Sequence, residues 1–190
     1  MDKIVILDFG SQYTQVIARR VRECAVYSEI VPFHLSAKKI AAMSPSGLIL
    51  SGGPASIYAR GAPMPDFKIF DLGVPVLGIC YGLQLMAHFS KGAVARGAKR
   101  EYGQGSFFVK GRSDLFAGLP EELLVWNSHG DKITRLPNGF HAIGTTDNSE
   151  FAAIEHRTKH LFGLQFHPEV AHTPRGKAIV ANFVHGVCKC

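Results

Sequence analysis

The sequence has few cysteines and no long run of apolar residues. Its 190 residues include four cysteines, and these do not have the spacing of a disulfide framework: Cys24, Cys80, Cys188 and Cys190. No apolar stretch reaches the roughly 18 residues that a membrane-spanning helix needs, and no secretory leader precedes the first predicted strand. We therefore expect a protein of the reducing cytoplasm that does not enter a membrane.

Several binding motifs are also missing. The formal net charge is +6, but the basic residues are dispersed, so nucleic-acid binding is not expected. No set of His and Cys residues has the spacing of zinc ligands. The Ser51-Gly52-Gly53 turn is not followed by the Gly-Lys-Ser/Thr of a phosphate loop. The sequence therefore predicts neither a metal site nor a P-loop.

The first half of the chain alternates short apolar strands with helical patterns. Hydrophobic residues make up 46% of the sequence, enough for one domain over residues 1–190. Tyr13, Val16, Ile17 and Val21 share one apolar face of the first predicted helix. Predicted strands cover residues 4–7, 26–31, 47–50, 75–79, 106–109, 123–126, 141–145, 151–154 and 161–166, and a last helix runs from about 175 to 187. This order indicates an α/β fold with an open, mostly parallel sheet flanked by helices on both faces.

The stretch Gly78-Ile79-Cys80-Tyr81-Gly82 lies between an apolar strand and a helical pattern. A nucleophile elbow has this arrangement, here with sulfur in place of a serine hydroxyl. The helix that begins there directs N–H groups and partial positive charge at the sulfur, which favours the thiolate. The alternative is a buried cysteine that acts as a small hydrophobic residue.

Two further turns follow predicted strands. His167 is followed by Pro168, which keeps it extended, so that Glu169 points the same way and can orient the imidazole. Ser51-Gly52-Gly53-Pro54 follows the strand at 47–50, and its paired glycines allow a ligand to approach the backbone, although a plain tight turn has the same composition. Parallel strands place all three turns at one sheet edge, which favours Cys80 as nucleophile and His167 as its base.

These motifs resemble the class I (triad-type) glutamine amidotransferases. The quoted matches are Ser51-Gly52-Gly53-Pro54, Gly78-Ile79-Cys80-Tyr81-Gly82-Leu83-Gln84 and Gly163-Leu164-Gln165-Phe166-His167-Pro168-Glu169. The resemblance implies the family fold, with a small antiparallel sheet in the second half. It also implies that L-glutamine is hydrolysed to glutamate and ammonia through a thioester on Cys80. Tyr81 N–H, as elbow geometry requires, and Gly53 N–H, by resemblance, would hold the oxyanion. The implied glutamine-binding residues are Gly52, Gln84, Ser128 and His129, with Tyr102 and Gly103 bordering the pocket.

A narrower resemblance is to the amidotransferase domains of GMP synthetases. It rests on Ile6-Leu7-Asp8-Phe9-Gly10-Ser11-Gln12-Tyr13, Arg100-Glu101-Tyr102-Gly103 and Trp126-Asn127-Ser128-His129-Gly130-Asp131. It implies a partner, a synthetase (ATP-pyrophosphatase) domain or subunit, that uses ATP and magnesium to aminate xanthosine monophosphate (XMP). This chain lacks the Ser-Gly-Gly-x-Asp-Ser loop for pyrophosphate, so no cofactor is expected in it, whether it is an isolated domain or a separate polypeptide.

Two other functions stay open at this point. One is a non-catalytic, glutamine-responsive docking subunit. The other is an amidotransferase of a different pathway or a hydrolase of γ-glutamyl compounds. We expect Ser11, Gln12 and Asp131 to belong to the surface that docks the partner. This expectation is the same for a docking subunit and for the preferred function.

Overall fold

The fold is built around one sheet. The computed structural model describes residues 2–190, and it describes the side chains in that range except those of residues 98–100. Arg100, part of one family motif, therefore lies outside the described side chains. Within residues 2–190, nine strands form one sheet in the order β2-β1-β3-β4-β9-β8-β7-β5-β6.

The helices and strands follow the predicted order. The strands are β1 (Lys3–Asp8), β2 (Tyr27–Pro32), β3 (Gly47–Leu50), β4 (Val76–Ile79), β5 (Ala93–Val109), β6 (Glu122–Arg135), β7 (Phe140–Thr146), β8 (Ala153–His156) and β9 (Leu161–Leu164). The helices are α1 (Thr14–Glu23), α2 (Ala37–Ala42), α3 (Tyr81–Phe89) and α4 (Gly176–Ala181), which continues as a π-helical segment over Asn182–Val187. Short 3₁₀ helices cover Phe67–Asp71 and Asp114–Phe116. None of the helices in residues 2–190 has the length and apolar character to cross a bilayer.

Helices cover both faces of the parallel half of the sheet. Strands β2, β1, β3, β4 and β9 are parallel neighbours. Along β1, Ile4 and Ile6 pack with residues of α1 and α4, whereas Val5 and Leu7 pack with residues of α2 and α3. Successive strand residues point to opposite faces, so a strand buried on both sides needs apolar residues throughout. The predicted α/β architecture is confirmed.

The antiparallel strands are part of the same sheet. Strand β8 pairs antiparallel with β9, and β7, β5 and β6 extend the sheet from there. The predicted strands at 106–109 and 123–126 are segments of the much longer β5 and β6, which have 17 and 14 residues. The parts of these strands that the sequence did not predict are polar and rich in glycine. A strand with one solvated face has little apolar pattern, so these parts gave no strand signal. Residues 127–131 consequently lie on strand β6.

Candidate active site

Cys80 lies at a strained turn between β4 and α3. Its backbone angles are φ 51° and ψ −101°, outside the regions that ordinary residues prefer. A Cβ on Gly78 would lie 2.6 Å from the carbonyl carbon of Gly82, and a Cβ on Gly82 would lie 2.5 Å from the carbonyl oxygen of Leu50. The two glycines are therefore needed because the elbow packs against itself and against β3.

Gly82→Ala is expected to lower the free energy of unfolding by about 3 kcal/mol, because the new methyl group meets backbone that cannot move aside. Gly186→Ala is the matched control, since nothing lies within 4 Å of a Cβ there and Gly186 is helical. That change should be neutral or slightly stabilising. Thermal and urea unfolding of both variants measure the difference, and equal stabilities would contradict the packing at the elbow.

His167 and Glu169 follow the end of β9 and are buried. His167 Nδ1 and Glu169 Oε1 are 2.8 Å apart, and the Glu169 side chain has no exposed surface. Burial alone would lower the pKa of His167, but the charge of Glu169 and the contacts with Cys80 and Glu169 raise that pKa well above its usual range. Glu169 is thus placed to orient the ring and to stabilise its charged form.

Backbone bonds hold the segment that carries His167. Its N–H donates to the carbonyl oxygen of Trp126 on β6 at 2.9 Å. Thr173 Oγ1 donates to the carbonyl oxygen of His167 at 2.6 Å, and Arg20 Nε on α1 donates to the carbonyl oxygen of Glu169 at 2.8 Å. Strand β6, helix α1 and the side chain of Thr173 therefore hold the backbone of this segment in place.

Cys80 and His167 both lie against Gly52. A Cβ on Gly52 would lie 3.1 Å from His167 Cε1 and 3.7 Å from the Cys80 Cβ. The sulfur also lies 3.8 Å from the carbonyl oxygen of Ser128 and 3.8 Å from Gln165 Nε2. The structure brings together the thiol, imidazole and carboxylate that the sequence placed on separate segments.

The predicted oxyanion donors, the N–H groups of Tyr81 and Gly53, lie at the start of α3 and in the Gly-Gly turn. The first bond of α3 runs from Gln84 N–H to the Cys80 carbonyl oxygen at 3.1 Å, so the Tyr81 N–H precedes the hydrogen-bond ladder. In the Gly-Gly turn, Ser51 Oγ accepts from Phe9 N–H at 2.9 Å and donates to the Gly52 carbonyl oxygen at 2.8 Å. A Cβ on Gly53 would lie 2.7 Å from the Phe9 carbonyl oxygen, so this turn also needs glycine.

A cleft of about 840 Å³ opens above these groups. Its lining includes seven of the predicted site residues, namely Gly53, Cys80, Gln84, Tyr102, Ser128, His129 and His167. Glu169 lies behind His167. Tyr81 is buried, its hydroxyl donates to the Pro63 carbonyl oxygen at 2.9 Å, and burial raises the pKa of Tyr81 to about 12. Gly52 and Gly103 are not among the lining residues. The volume lies within the range of small-molecule sites.

Sequence reasoning missed Tyr13 as a cleft residue. The helical pattern predicts it on the core face of the first helix, but it precedes α1, lines the cleft and packs edge-on to the His167 ring at a centroid distance of 5.2 Å. The Asp8 carboxylate holds this turn by accepting from Thr14 Oγ1 at 2.8 Å and from Gly10 N–H at 2.9 Å. In the sequence, this turn could have been inferred from an acidic residue at a strand end, six residues before a threonine.

Other residues at or beside the cleft lie outside the predicted catalytic and substrate-binding residues. Ser11, Gln12 and Asp131, expected in a docking surface, line the cleft together with Arg96. Glu101 lies against His129. In residues 2–190, no group of three or more His, Cys, Asp or Glu side chains is arranged to hold a metal ion.

Both the fold and this site define a known class. The family model described as glutamine amidotransferase class-I matches residues 5–187. The chain belongs to the class-I glutamine amidotransferase family, which confirms the resemblance drawn from the motifs.

Two curated relatives that share half of their aligned residues with this chain are named GMP synthases. The chain is 52% identical over 186 residues to the GMP synthase [glutamine-hydrolyzing] of Aquifex aeolicus, covering 98% of this chain and 36% of that protein. Against the enzyme of the same name from Bacillus cereus, the identity is 52% over 189 residues, covering 100% and 37%. The chain thus spans little more than a third of the length of these curated relatives.

Two solved structures share this fold. A candidate GMP synthase subunit from Thermoplasma acidophilum superposes with a TM-score of 0.92 and 34% identity, covering 100% of this chain and 94% of that chain. A glutamine amidotransferase from Thermotoga maritima has a TM-score of 0.78 at 19% identity, covering 100% and 99%, and this likeness concerns the fold alone.

Proposed function

We propose that this chain hydrolyses L-glutamine to glutamate and ammonia. The observation that carries the proposal is the contact geometry of one site: a thiol at a glycine-flanked elbow, beside an imidazole that is 2.8 Å from a buried carboxylate. Family membership supports glutamine as the substrate. A cysteine nucleophile, a base and an orienting carboxylate are the parts that acyl transfer requires.

The proposed reaction has two stages. Cys80 transfers its proton to His167, the thiolate attacks the side-chain carboxamide carbon, and the protonated His167 gives that proton to the departing nitrogen as the carbon–nitrogen bond breaks. Ammonia leaves and a glutamyl thioester remains. Water then attacks the thioester, His167 takes a proton from the water, and the carbon–sulfur bond breaks to release glutamate and to restore the thiolate and the protonated imidazole. Glu169 keeps the imidazole oriented through both stages.

Oxygen charge develops in both stages, and backbone donors would stabilise it. We assign this role to the N–H groups of Tyr81 and Gly53. Removal of one such donor typically costs about 3 kcal/mol of barrier in other enzymes. Around the amino-acid end of glutamine, we propose that contacts come from Gly52, Gln84, Tyr102, Gly103, Ser128 and His129, some of them through backbone atoms.

The ammonia has a proposed destination. The curated relatives are named GMP synthases, and the chain covers little more than a third of each. We propose that ammonia passes to a GMP synthetase (ATP-pyrophosphatase) domain or subunit, which activates XMP with ATP and Mg²⁺ and aminates it to GMP. The proposed contact surface for that partner includes Ser11, Gln12 and Asp131, which line the cleft.

A substrate screen tests the proposal. The chain is assayed against L-glutamine and a panel of γ-glutamyl compounds, with and without a GMP synthetase partner, and glutamate and ammonia are both quantified. We expect equal amounts of the two products and a preference for glutamine. Partner docking often completes such sites, so the rate should rise in the complex. Absence of activity in both settings would favour a docking subunit, and a better γ-glutamyl substrate would favour a different hydrolase.

A further inference from the structure

A second carboxylate–imidazole pair lies beside the cleft. Glu101 on β5 and His129 on β6 are cross-strand partners, and His129 Nε2 is 2.9 Å from Glu101 Oε2. Their side chains are only 9% and 4% exposed, respectively. His129 lines the cleft, whereas neither residue has a step in the proposed reaction. Burying two ionisable groups costs solvation free energy unless each stabilises the other.

Both ring nitrogens of His129 face oxygen atoms. Nε2 meets the Glu101 carboxylate, and Nδ1 lies 3.2 Å from the carbonyl oxygen of Asp131. The contact with Glu101 is close but is not a well-aligned hydrogen bond. Since both ring nitrogens face oxygen atoms of the protein, neither is directed at a ligand in the cleft.

The charge on Glu101 is fixed from its other side. Its Oε1 accepts from Thr146 Oγ1 at 3.0 Å and from Asn148 Nδ2 at 3.3 Å. Burial raises the pKa of Glu101, but the contacts with His129, Thr146 and Asn148 outweigh it and lower that pKa below its usual value. Lys132 Nζ in turn donates to the Asn148 carbonyl oxygen. The carboxylate is thus ionised and held in place.

The pair is connected to the elbow helix. The Asp131 carbonyl oxygen that faces His129 also accepts from Gln84 Nε2 at 3.0 Å, and Gln84 lies one helical turn after Cys80. On the same strand, the Ser128 carbonyl oxygen lies 3.8 Å from the Cys80 sulfur. Strand β6 is therefore bonded to α3 through one carbonyl group, at the wall of the cleft.

We propose that Glu101 is a positioning residue for glutamine binding, because its carboxylate holds the His129 ring in place and so fixes the β6 backbone along the cleft. The inference rests on the proposed function. His129 then forms part of the pocket wall through its backbone and through the ring that Glu101 holds. Glu101, which belongs to one of the family motifs, thereby has a physical role. Loss of the charge should affect substrate affinity more than the chemical step, since the relay at Cys80 is left intact.

The test compares Glu101→Gln with Glu155→Gln in the full chain. Glu155 is a half-buried carboxylate on β8 outside the cleft, which makes it a matched control. For each protein, KM and kcat for glutamine are measured, together with the rate at which iodoacetamide alkylates the Cys80 peptide. Ring nitrogen resonances of His129, assigned with His129→Gln, report the surroundings of the ring without any substrate.

Glu101→Gln should raise KM about tenfold or more, as expected for a lost charged contact, while kcat and Cys80 alkylation change less than about threefold. Glu155→Gln should behave as wild type. The ring resonances of His129 should shift in Glu101→Gln and stay at the wild-type position in Glu155→Gln. Ring resonances that do not shift in Glu101→Gln, or an unchanged KM, would overturn the inference. A wild-type chain without glutaminase activity would refute the proposed function, and the resonances would still show whether Glu101 holds the ring.

Discussion

Cys80→Ala is expected to abolish glutamate release, with a loss of about 10⁴-fold or more in kcat, because no other group can form the acyl intermediate. The measurement is glutamate formation by the purified chain, alone and with a synthetase partner. Loss of fold is a minor concern, since alanine keeps the same Cβ at the same strained turn. Circular dichroism and thermal unfolding should therefore match the wild type.

Two controls make the result specific to the sulfur of Cys80. Cys24→Ala removes a half-buried thiol whose pKa is raised by burial, and it should leave glutamine hydrolysis unchanged. Ammonia-dependent synthesis by the partner should survive in the Cys80→Ala complex, because added ammonia bypasses the first half-reaction. If the Cys80→Ala protein kept its rate of glutamine hydrolysis, the assignment of the nucleophile would be wrong.

Glu169→Gln is expected to lower kcat by about 10³- to 10⁴-fold, since the neutral amide neither stabilises the imidazolium nor selects the productive tautomer. Glutamine has nearly the same size, so the buried site is not emptied. The Glu155→Gln protein again controls for removal of a strand carboxylate. An activity within threefold of wild type would contradict the role of Glu169, whatever the stability of the variant.

The same variant has a defined effect on pH dependence. In the wild type, the charge of Glu169 is one of the interactions that raise the pKa of His167, so the ring keeps its proton to higher pH than an ordinary imidazole does. The proton donor for departing ammonia is lost as pH rises through that pKa. Removing the negative charge lowers the pKa of His167, and the alkaline limb of the kcat profile should therefore move to lower pH. A profile with an unmoved alkaline limb would show that another group sets it.

Much of the site could be predicted because its signals are local. The glycines around Cys80, the proline after His167 and the paired glycines at 52–53 each act on the backbone of their immediate neighbours. Apolar strands then place all three turns at one edge of the parallel sheet. This step required no knowledge of long-range contacts, so the three turns could be placed together from the sequence alone.

The rest depended on pairing between distant strands. The β5 and β6 strands are polar where they flank the cleft, so their length follows from hydrogen bonding to each other and not from an apolar pattern. The Glu101–His129 contact exists only because of that register. The spacing of Tyr13 fits the core face of a helix, but the bonds of Asp8 delay the start of α1 to Thr14.

The left-handed backbone at Cys80 has a consequence for what natural selection could retain. A glycine at this residue would relieve steric strain of about 1–3 kcal/mol and would stabilise the folded chain. Such a chain would have no nucleophile. Stability and reactivity therefore compete at this one residue, and in a lineage that no longer needed the reaction, replacement of the cysteine would be favoured by stability.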